Sequence, residues 1–300
     1  MAIDILSLRP VNAQRLAEFT AAGYAVIEGM KFASRAEAIA AAANVRAVLT
    51  NGRGGLTAEE IARLPKLEII STAGADYEMV DLAAARARGI ALTNCTGTSA
   101  VAVADSAIML LLACVRQLPE AMNFVKGGGW QEQWKAMPTI IANKKLGLIG
   151  LGRIGSRIAQ RAARGFDMTV GYHTRRPVAD SGYRHFSNLV ELAEWADFLI
   201  TSAPGGAATR HLINADVLKA LGPKGYVVNV GRGTVIDSAA LIDALKEKRI
   251  AGAGLDVIEG EPVIPAPLLQ MDNVVITPHC AARAPESTAA ADRKSTRLNS

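Results

Sequence analysis

Residues 147–155 read G-L-I-G-L-G-R-I-G, and no other stretch narrows the folds open to this chain as far. Gly150, Gly152 and Gly155 fit the spacing G-x-G-x-x-G, with an apolar, strand-like run before them and a helix-like run after. The first glycine permits a tight turn, and the second lets backbone amides approach a pyrophosphate. The third lets the helix pack against the strand with its N-terminus towards the anion. Leu151, Arg153 and Ile154 fill the same turn and join the glycines as candidate dinucleotide contacts. The triplet begins at residue 150 of 300, so another domain comes first.

Three hundred residues suit two domains of ordinary size. Half are apolar but only 5% aromatic, so the core must come mostly from Ala, Leu, Val and Ile. Cys95, Cys114 and Cys280 are odd in number and lack metal-ligand spacing. No metal site is expected, and a reducing, cytoplasmic setting is the simplest reading. No charged segment followed by an apolar run opens the chain, so a signal peptide is not expected. The apolar stretch 100–115 carries Asp105 and is short for a bilayer, so neither is a membrane. The net charge of +5 is scattered, with no basic stripe for nucleic acid. Residues 292–300, D-R-K-S-T-R-L-N-S, lack apolar periodicity and resemble a translated sequencing adapter; they read as a non-native tail after a lost C-terminus.

Strand and helix signals alternate along the first hundred residues. Strands are expected at 3–8, 25–28, 47–50, 68–72 and 90–93, with helices at 11–22, 35–43, 58–64 and 80–88. Thr57 with Glu60 resembles a capping box. A long apolar helix capped by Thr98 or Ser99 should run to about Arg116. It is either an interdomain core helix or, by the favoured reading, also part of a homodimer contact. From residue 145 the alternation resumes, with six strands expected at 145–150, 168–173, 197–202, 226–230, 252–257 and 274–277. Helices fit near 154–165, 187–195, 214–221 and 238–248. The expected fold class is α/β with two domains, a flavodoxin-like one at 1–98 and a doubly wound Rossmann domain at 99–280.

The second strand after the triplet ends in Tyr172-His173-Thr174-Arg175-Arg176-Pro177. A site for NAD usually places Asp or Glu near here to hold the ribose hydroxyls. Here His173 takes that position, with Thr174, Arg175 and Arg176 beyond it. Two guanidinium groups offer forked, charge-assisted donors to a 2′-phosphate, and no carboxylate repels it. NADP(H) is therefore favoured, with NADH as the alternative.

In doubly wound sheets ligands lie at the carboxyl ends of the strands. Arg232, Glu261 and His279 each follow one of three successive expected strands. Their types suit carbonyl reduction. Hydride arriving at a keto carbon leaves charge on oxygen, which a protonated imidazole can neutralise, a contribution of typically ~10²–10⁴-fold. A carboxylate beside an imidazole favours its charged form. An arginine keeps its proton and can fix a carboxylate or polarise a carbonyl.

The segments 229–237 (N-V-G-R-G-T-V-I-D), 252–262 (G-A-G-L-D-V-I-E-G-E-P) and 273–279 (N-V-V-I-T-P-H) resemble those of the D-2-hydroxyacid dehydrogenases. So do the glycine triplet and Ser202-Ala203-Pro204 with Thr209, and the likeness covers residues 45 to about 280. The loop around His173 is similar to the glyoxylate/hydroxypyruvate reductase branch, which includes 2-ketogluconate reductases. The resemblance implies NADPH-dependent reduction of a small 2-keto acid to the D-2-hydroxy acid. Glyoxylate, hydroxypyruvate and 2-ketogluconate are the substrates to expect.

In that family's terms Arg232, Glu261 and His279 are catalytic, with His279 as proton donor. Glu261 is preferred to Glu259 because the family's acid immediately precedes a proline, here Pro262. The resemblance further implies that Asp256 contacts the nicotinamide carboxamide and that Ala203, Pro204, Thr209 and Val230 line the cofactor. Backbone amides at Ala73 and Gly74 would hold the substrate carboxylate, joined by Arg232, His279 and Arg53 of the loop Asn51-Gly52-Arg53-Gly54-Gly55.

This chain departs from the family at Cys280-Ala281-Ala282-Arg283-Ala284, where a small-residue turn and a threonine are usual. Residues 281–291 would start a final helix returning to the substrate domain, cut short here. Two rival readings are a nucleotide-sensing interaction protein on the same scaffold and an enzyme inactivated by truncation.

Overall fold

The computed structural model describes residues 3–52, 54–74 and 77–296, so Arg53 lies outside the described residues. The chain divides into two compact units, residues 1–99 with 284–300, and residues 100–283.

The first unit runs β1 (Ile3–Ser7), α1 (Ala13–Ala21), β2 (Tyr24–Glu28), α2 (Arg35–Ala41), β3 (Ala47–Asn51), α3 (Ala58–Ala62), β4 (Ile69–Ala73), α4 (Leu82–Ala87) and β5 (Ala91–Asn94). Its five strands are parallel in the order β2-β1-β3-β4-β5, the flavodoxin order expected. Leu6, Val48 and Ile70, one from each central strand, are fully buried. The capping box forms, with Glu60 N donating to Thr57 Oγ1 (3.2 Å) and Thr57 N to Glu60 Oε2 (2.9 Å). Arg35 grips the same carboxylate through Nε (2.5 Å) and Nη2 (2.9 Å) and donates to Gly55 O (3.0 Å). Burial alone would push the Glu60 carboxyl up. The Arg35 and Thr57 hydrogen bonds and the Arg35 charge outweigh it and hold Glu60 below its ordinary value.

The second unit runs α5 (Ala100–Val115), α6 (Leu118–Lys126), β6 (Lys145–Ile149), α7 (Arg153–Phe166), β7 (Thr169–His173), β8 (Arg184–His185), α8 (Leu189–Trp195), β9 (Phe198–Thr201), α9 (Ala215–Leu221), β10 (Tyr226–Asn229), α10 (Ser238–Lys246), β11 (Gly252–Leu255), α11 (Ala266–Leu269) and β12 (Val274–Ile276). All its strands are parallel, in the order β12-β11-β10-β9-β6-β7-β8. The order reverses between β6 and β9, which is the topological switch point of a doubly wound sheet. Strands β9 and β11 are buried throughout, as parallel strands covered on both faces must be.

Six strands were expected here and seven are present. The addition, β8, spans two residues at the sheet edge and is too short to carry periodicity. Helix α6 has no counterpart among the expected helices, although Leu118, Met122 and Val125 recur on it at helical spacing; that stripe is exposed and the helix buries none of its residues. Helix α5 packs against α7, β10 and β11, while Val101 and Met109 on it are exposed. Among the described residues no single helix is long and apolar enough to cross a membrane.

The last helix, α12 (Pro285–Thr296), belongs to the first unit, where Cys95 Sγ donates to Ala291 O at 3.4 Å. It begins where expected and continues through 292–296, the first residues of the segment that resembles a non-native tail. Nothing after Pro285 breaks a helix, and alanine, arginine and lysine favour one even without an apolar stripe.

Candidate active site

The glycine turn between β6 and α7 has the shape its spacing demands. A Cβ on Gly155 would lie 2.1 Å from Gly150 O, so only glycine lets α7 sit this close to the strand. A Cβ on Gly152 would meet nothing within 4 Å, so open space lies above this N-cap. The first turn of α7 carries no acid and no side-chain cap, leaving its amides and the positive end of its dipole to a ligand. A pyrophosphate fits that cradle.

At the end of β7, His173 Nδ1 donates to Phe186 O (2.9 Å); a carbonyl only accepts, so Nδ1 carries the proton. Thr174 Oγ1 donates to Arg176 O (2.7 Å), and His185 Nε2 to Thr174 O (3.0 Å). These bonds hold the loop while the Arg175 and Arg176 side chains stay exposed. A ribose 2′-phosphate fits the two guanidinium groups better than a bare hydroxyl does.

Four strand ends supply the rest. After β9, Ala203 is buried, and Thr209 Oγ1 closes the loop by donating to Pro204 O (2.7 Å). After β10, buried Val230 leads into Arg232, whose Nη1 donates to Gly231 O (2.8 Å). Asn229 shapes that turn: its Nδ2 donates to Arg232 O (2.9 Å) and its Oδ1 accepts from Gly231 N (3.0 Å).

After β11 comes Asp256, only 3% exposed. Its carboxylate accepts from Thr277 Oγ1 (2.6 Å), Cys280 N (2.9 Å) and Ala281 N (3.0 Å). A carboxylate offers about four acceptor sites, so one remains for a carboxamide donor. Those three bonds shape the turn after β12, which holds His279 at φ +49°.

His279 Nδ1 then meets Glu261 Oε1 at 2.5 Å. The structure thus brings together two of the three residues singled out for chemistry, from loops 18 positions apart. Glu259 turns elsewhere, to His211. Ala73 ends β4 in the first unit, and Gly74 there has φ +129° with its carbonyl accepting from Cys95 N (2.7 Å).

Several participants escaped the sequence reading. Asn229 and Thr277 were visible as polar residues at strand ends. The anchoring role of Asp256 had no signal beyond a buried acid after an apolar strand. His211 pairs across 48 residues, a relation no local pattern reveals.

Residues 108–281 match the profile of the D-isomer specific 2-hydroxyacid dehydrogenase, NAD binding domain. Hydroxyphenylpyruvate reductase of Plectranthus scutellarioides is 41% identical over 238 residues, covering 79% of this chain and 76% of that protein. 2-Ketogluconate reductase of Gluconobacter oxydans is 37% identical over 288 residues, 95% of this chain and 90% of that one. Among solved structures, the NADPH-dependent glyoxylate/hydroxypyruvate reductase of Sinorhizobium meliloti, in complex with NADP and malonate, superposes with a TM-score of 0.84 at 36% identity. It covers 98% of this chain and 91% of that one. With the doubly wound sheet and its glycine turn, these matches bear out the motif resemblance: the chain belongs to the D-isomer specific 2-hydroxyacid dehydrogenase family.

Proposed function

We propose that this chain is an NADPH-dependent reductase that converts a small 2-keto acid to the D-2-hydroxy acid. The observation that carries this is the 2.5 Å bond between His279 Nδ1 and Glu261 Oε1. With Nδ1 committed to a carboxylate, Nε2 is the nitrogen left to give a proton to a carbonyl oxygen. NADPH, when bound, supplies hydride to the keto carbon. His279 delivers a proton to the carbonyl oxygen, and Arg232 holds the substrate carboxylate or polarises the carbonyl. Backbone amides at Ala73 and Gly74 add donors for that carboxylate, with Arg53 assigned to the same substrate. Gly150, Leu151, Gly152, Arg153, Ile154 and Gly155 hold the pyrophosphate. His173, Thr174, Arg175 and Arg176 take the 2′-phosphate, and Asp256, Thr209, Ala203, Pro204 and Val230 line the remainder.

Glyoxylate, hydroxypyruvate and 2-ketogluconate are the substrates proposed, in keeping with the relatives named above. The test is NADPH oxidation across these acids. Turnover by the wild-type protein and its near-complete loss in His279→Ala are expected; no turnover with any of them sinks the proposal. Two charge-assisted contacts to the 2′-phosphate should favour NADPH over NADH by roughly 10–100-fold in kcat/KM.

We further propose a homodimer and a cytoplasmic location. Met109, Leu118, Met122 and Val125 on α5 and α6 are large, apolar and exposed, as a subunit contact requires. All three cysteines are free, which suits a reducing compartment. Light scattering should show a dimer that Met109→Glu converts to monomer.

A further inference from the structure

A second histidine–glutamate pair stands beside the first. His211, on the loop that Thr209 closes, directs Nε2 at both oxygens of Glu259, at 2.9 and 3.0 Å. Arg210 Nη2 lies 2.7 Å from Glu259 Oε1, and Asp237 Oδ2 stands 3.8 Å from His211 Nδ1. The histidine backbone is held at φ +52° by its N–H donating to Thr234 O (2.8 Å). Between Glu259 and the acid paired with His279 there is only Gly260.

The turn bearing both acids is confined from a third side. A Cβ on Gly233, next to Arg232, would lie 2.1 Å from Ile258 C and 2.4 Å from Glu259 N. The peptide entering the turn therefore rests directly on the arginine loop. Glu261 N donates back to Ile258 O (3.2 Å), closing the turn on itself. Glu259 and Glu261 thus share one short, closed turn.

We propose that His211 and Arg210 are positioning residues. By holding Glu259 they fix the turn on which Glu261 rides, keep Glu261 Oε1 on His279 Nδ1, and link the Thr209 loop to the proton donor. The proposal rests on the reading of His279 as proton donor. An ordinary surface ion pair would contribute little beyond a small part of the stability.

The test compares wild type, His211→Ala, His211→Gln, Glu261→Gln and the double variant His211→Ala with Glu261→Gln, each as the full chain. With glyoxylate and NADPH, His211→Ala should lower kcat about 10-fold and leave KM within roughly 2-fold. His211→Gln, whose amide can still donate to Glu259, should recover most of the loss. In the Glu261→Gln background His211→Ala should cost nothing more, because the effect passes through Glu261.

A second readout needs no turnover. The His279 ring proton shared with Glu261 should give a far-downfield proton NMR signal, assigned by its absence in His279→Ala. That signal should disappear in His211→Ala. Wild-type inactivity would thus defeat the reductase reading alone, while the NMR signal still decides the positioning role. Should His211→Ala not fold, Glu259→Gln carries the same expectations. Additive losses in the double variant, or a downfield signal unchanged by His211→Ala, would overturn the proposal.

Discussion

His211 and His279 use the same parts. Both adopt a left-handed backbone, both bond a glutamate of one turn, and the two glutamates are a single residue apart. Each backbone conformation costs about 1–2 kcal/mol for a residue with a Cβ, so each must be held by its surroundings. His279 N donates to Asp256 O and Thr277 O, both at 2.9 Å, and His211 N to Thr234 O. What differs is the orientation of the ring. His279 spends Nδ1 on Glu261, and among the described residues no hydrogen bond engages its Nε2. His211 gives Nε2 to Glu259 while Nδ1 faces Asp237, so carboxylates stand at both nitrogens. One ring can pass a proton to a ligand and the other can only hold. The residue types are therefore a poor guide to role, and the nitrogen left over decides it.

The largest expected effect separates the two rings directly. His279→Ala should lower kcat by ~10²–10⁴-fold, the range for losing a general acid, against about 10-fold for His211→Ala. Steady-state NADPH oxidation measures both, and equal losses would erase the distinction between the two rings.

Next in size are the acids behind the two rings. Asp256 is nearly enclosed and holds the His279 turn through three donors, whereas Asp237 stands 3.8 Å from the His211 ring and is partly exposed. Asp256→Asn sets an amide group among donors that need an acceptor, a mismatch worth about 1–3 kcal/mol. It should lower both kcat and the melting temperature. Asp237→Asn keeps the acceptor oxygen that caps α10 and should change kcat less than 3-fold, as expected of an exposed polar substitution. The reverse order would mean that the His279 turn is held by something other than Asp256.

The Arg35–Glu60 pair marks the limit of pure holding, since a guanidinium keeps its proton. The Glu60 carboxyl lies below its ordinary value, so its stabilising effect is present above the ordinary range and is lost as pH falls through the lowered value. Glu60→Gln retains a capping-box residue but loses the charge. It should cost about 1–2 kcal/mol near neutral pH, with the difference from wild type closing once both are measured in acid well below 4.5. Urea denaturation at several pH values gives the comparison, and a cost that does not change with pH would deny the pair its charge.

The legible parts of this molecule are those in which an apolar strand runs straight into a distinctive turn. The glycine triplet after β6, Arg232 after β10, Glu261 after β11 and His279 after β12 all have that form, because burial writes the strand and steric demand writes the turn. The flavodoxin and doubly wound orders follow from alternating strands and helices together with the preferred hand of their connections. Other elements were harder to read: β8 is too short, the apolar stripe of α6 is not buried, and α12 runs on through polar residues with no stripe. The partition of Glu259 and Glu261 between two histidines was hidden for another reason. It depends on how loops 18 and 48 residues apart come to rest against each other, which only packing such as that of Gly233 on Ile258 determines.

The smallest effect concerns a proton held by burial. Burial pushes the Cys114 thiol up to about 12, only partly offset by a backbone hydrogen bond at Val275. Reaction with iodoacetamide requires the thiolate, whose fraction at neutral pH is then negligible. Cys280, next to His279 in the chain, is only partly buried. Mass spectrometry after brief labelling at neutral pH should find Cys280 modified and Cys114 intact, with both modified in denaturant. Activity should fall with Cys280 labelling, because the adduct would crowd the turn that Asp256 shapes. Labelling of Cys114 in the folded protein would show that burial does not hold its thiol protonated. Burial would then no longer separate a locked proton from the available one on His279.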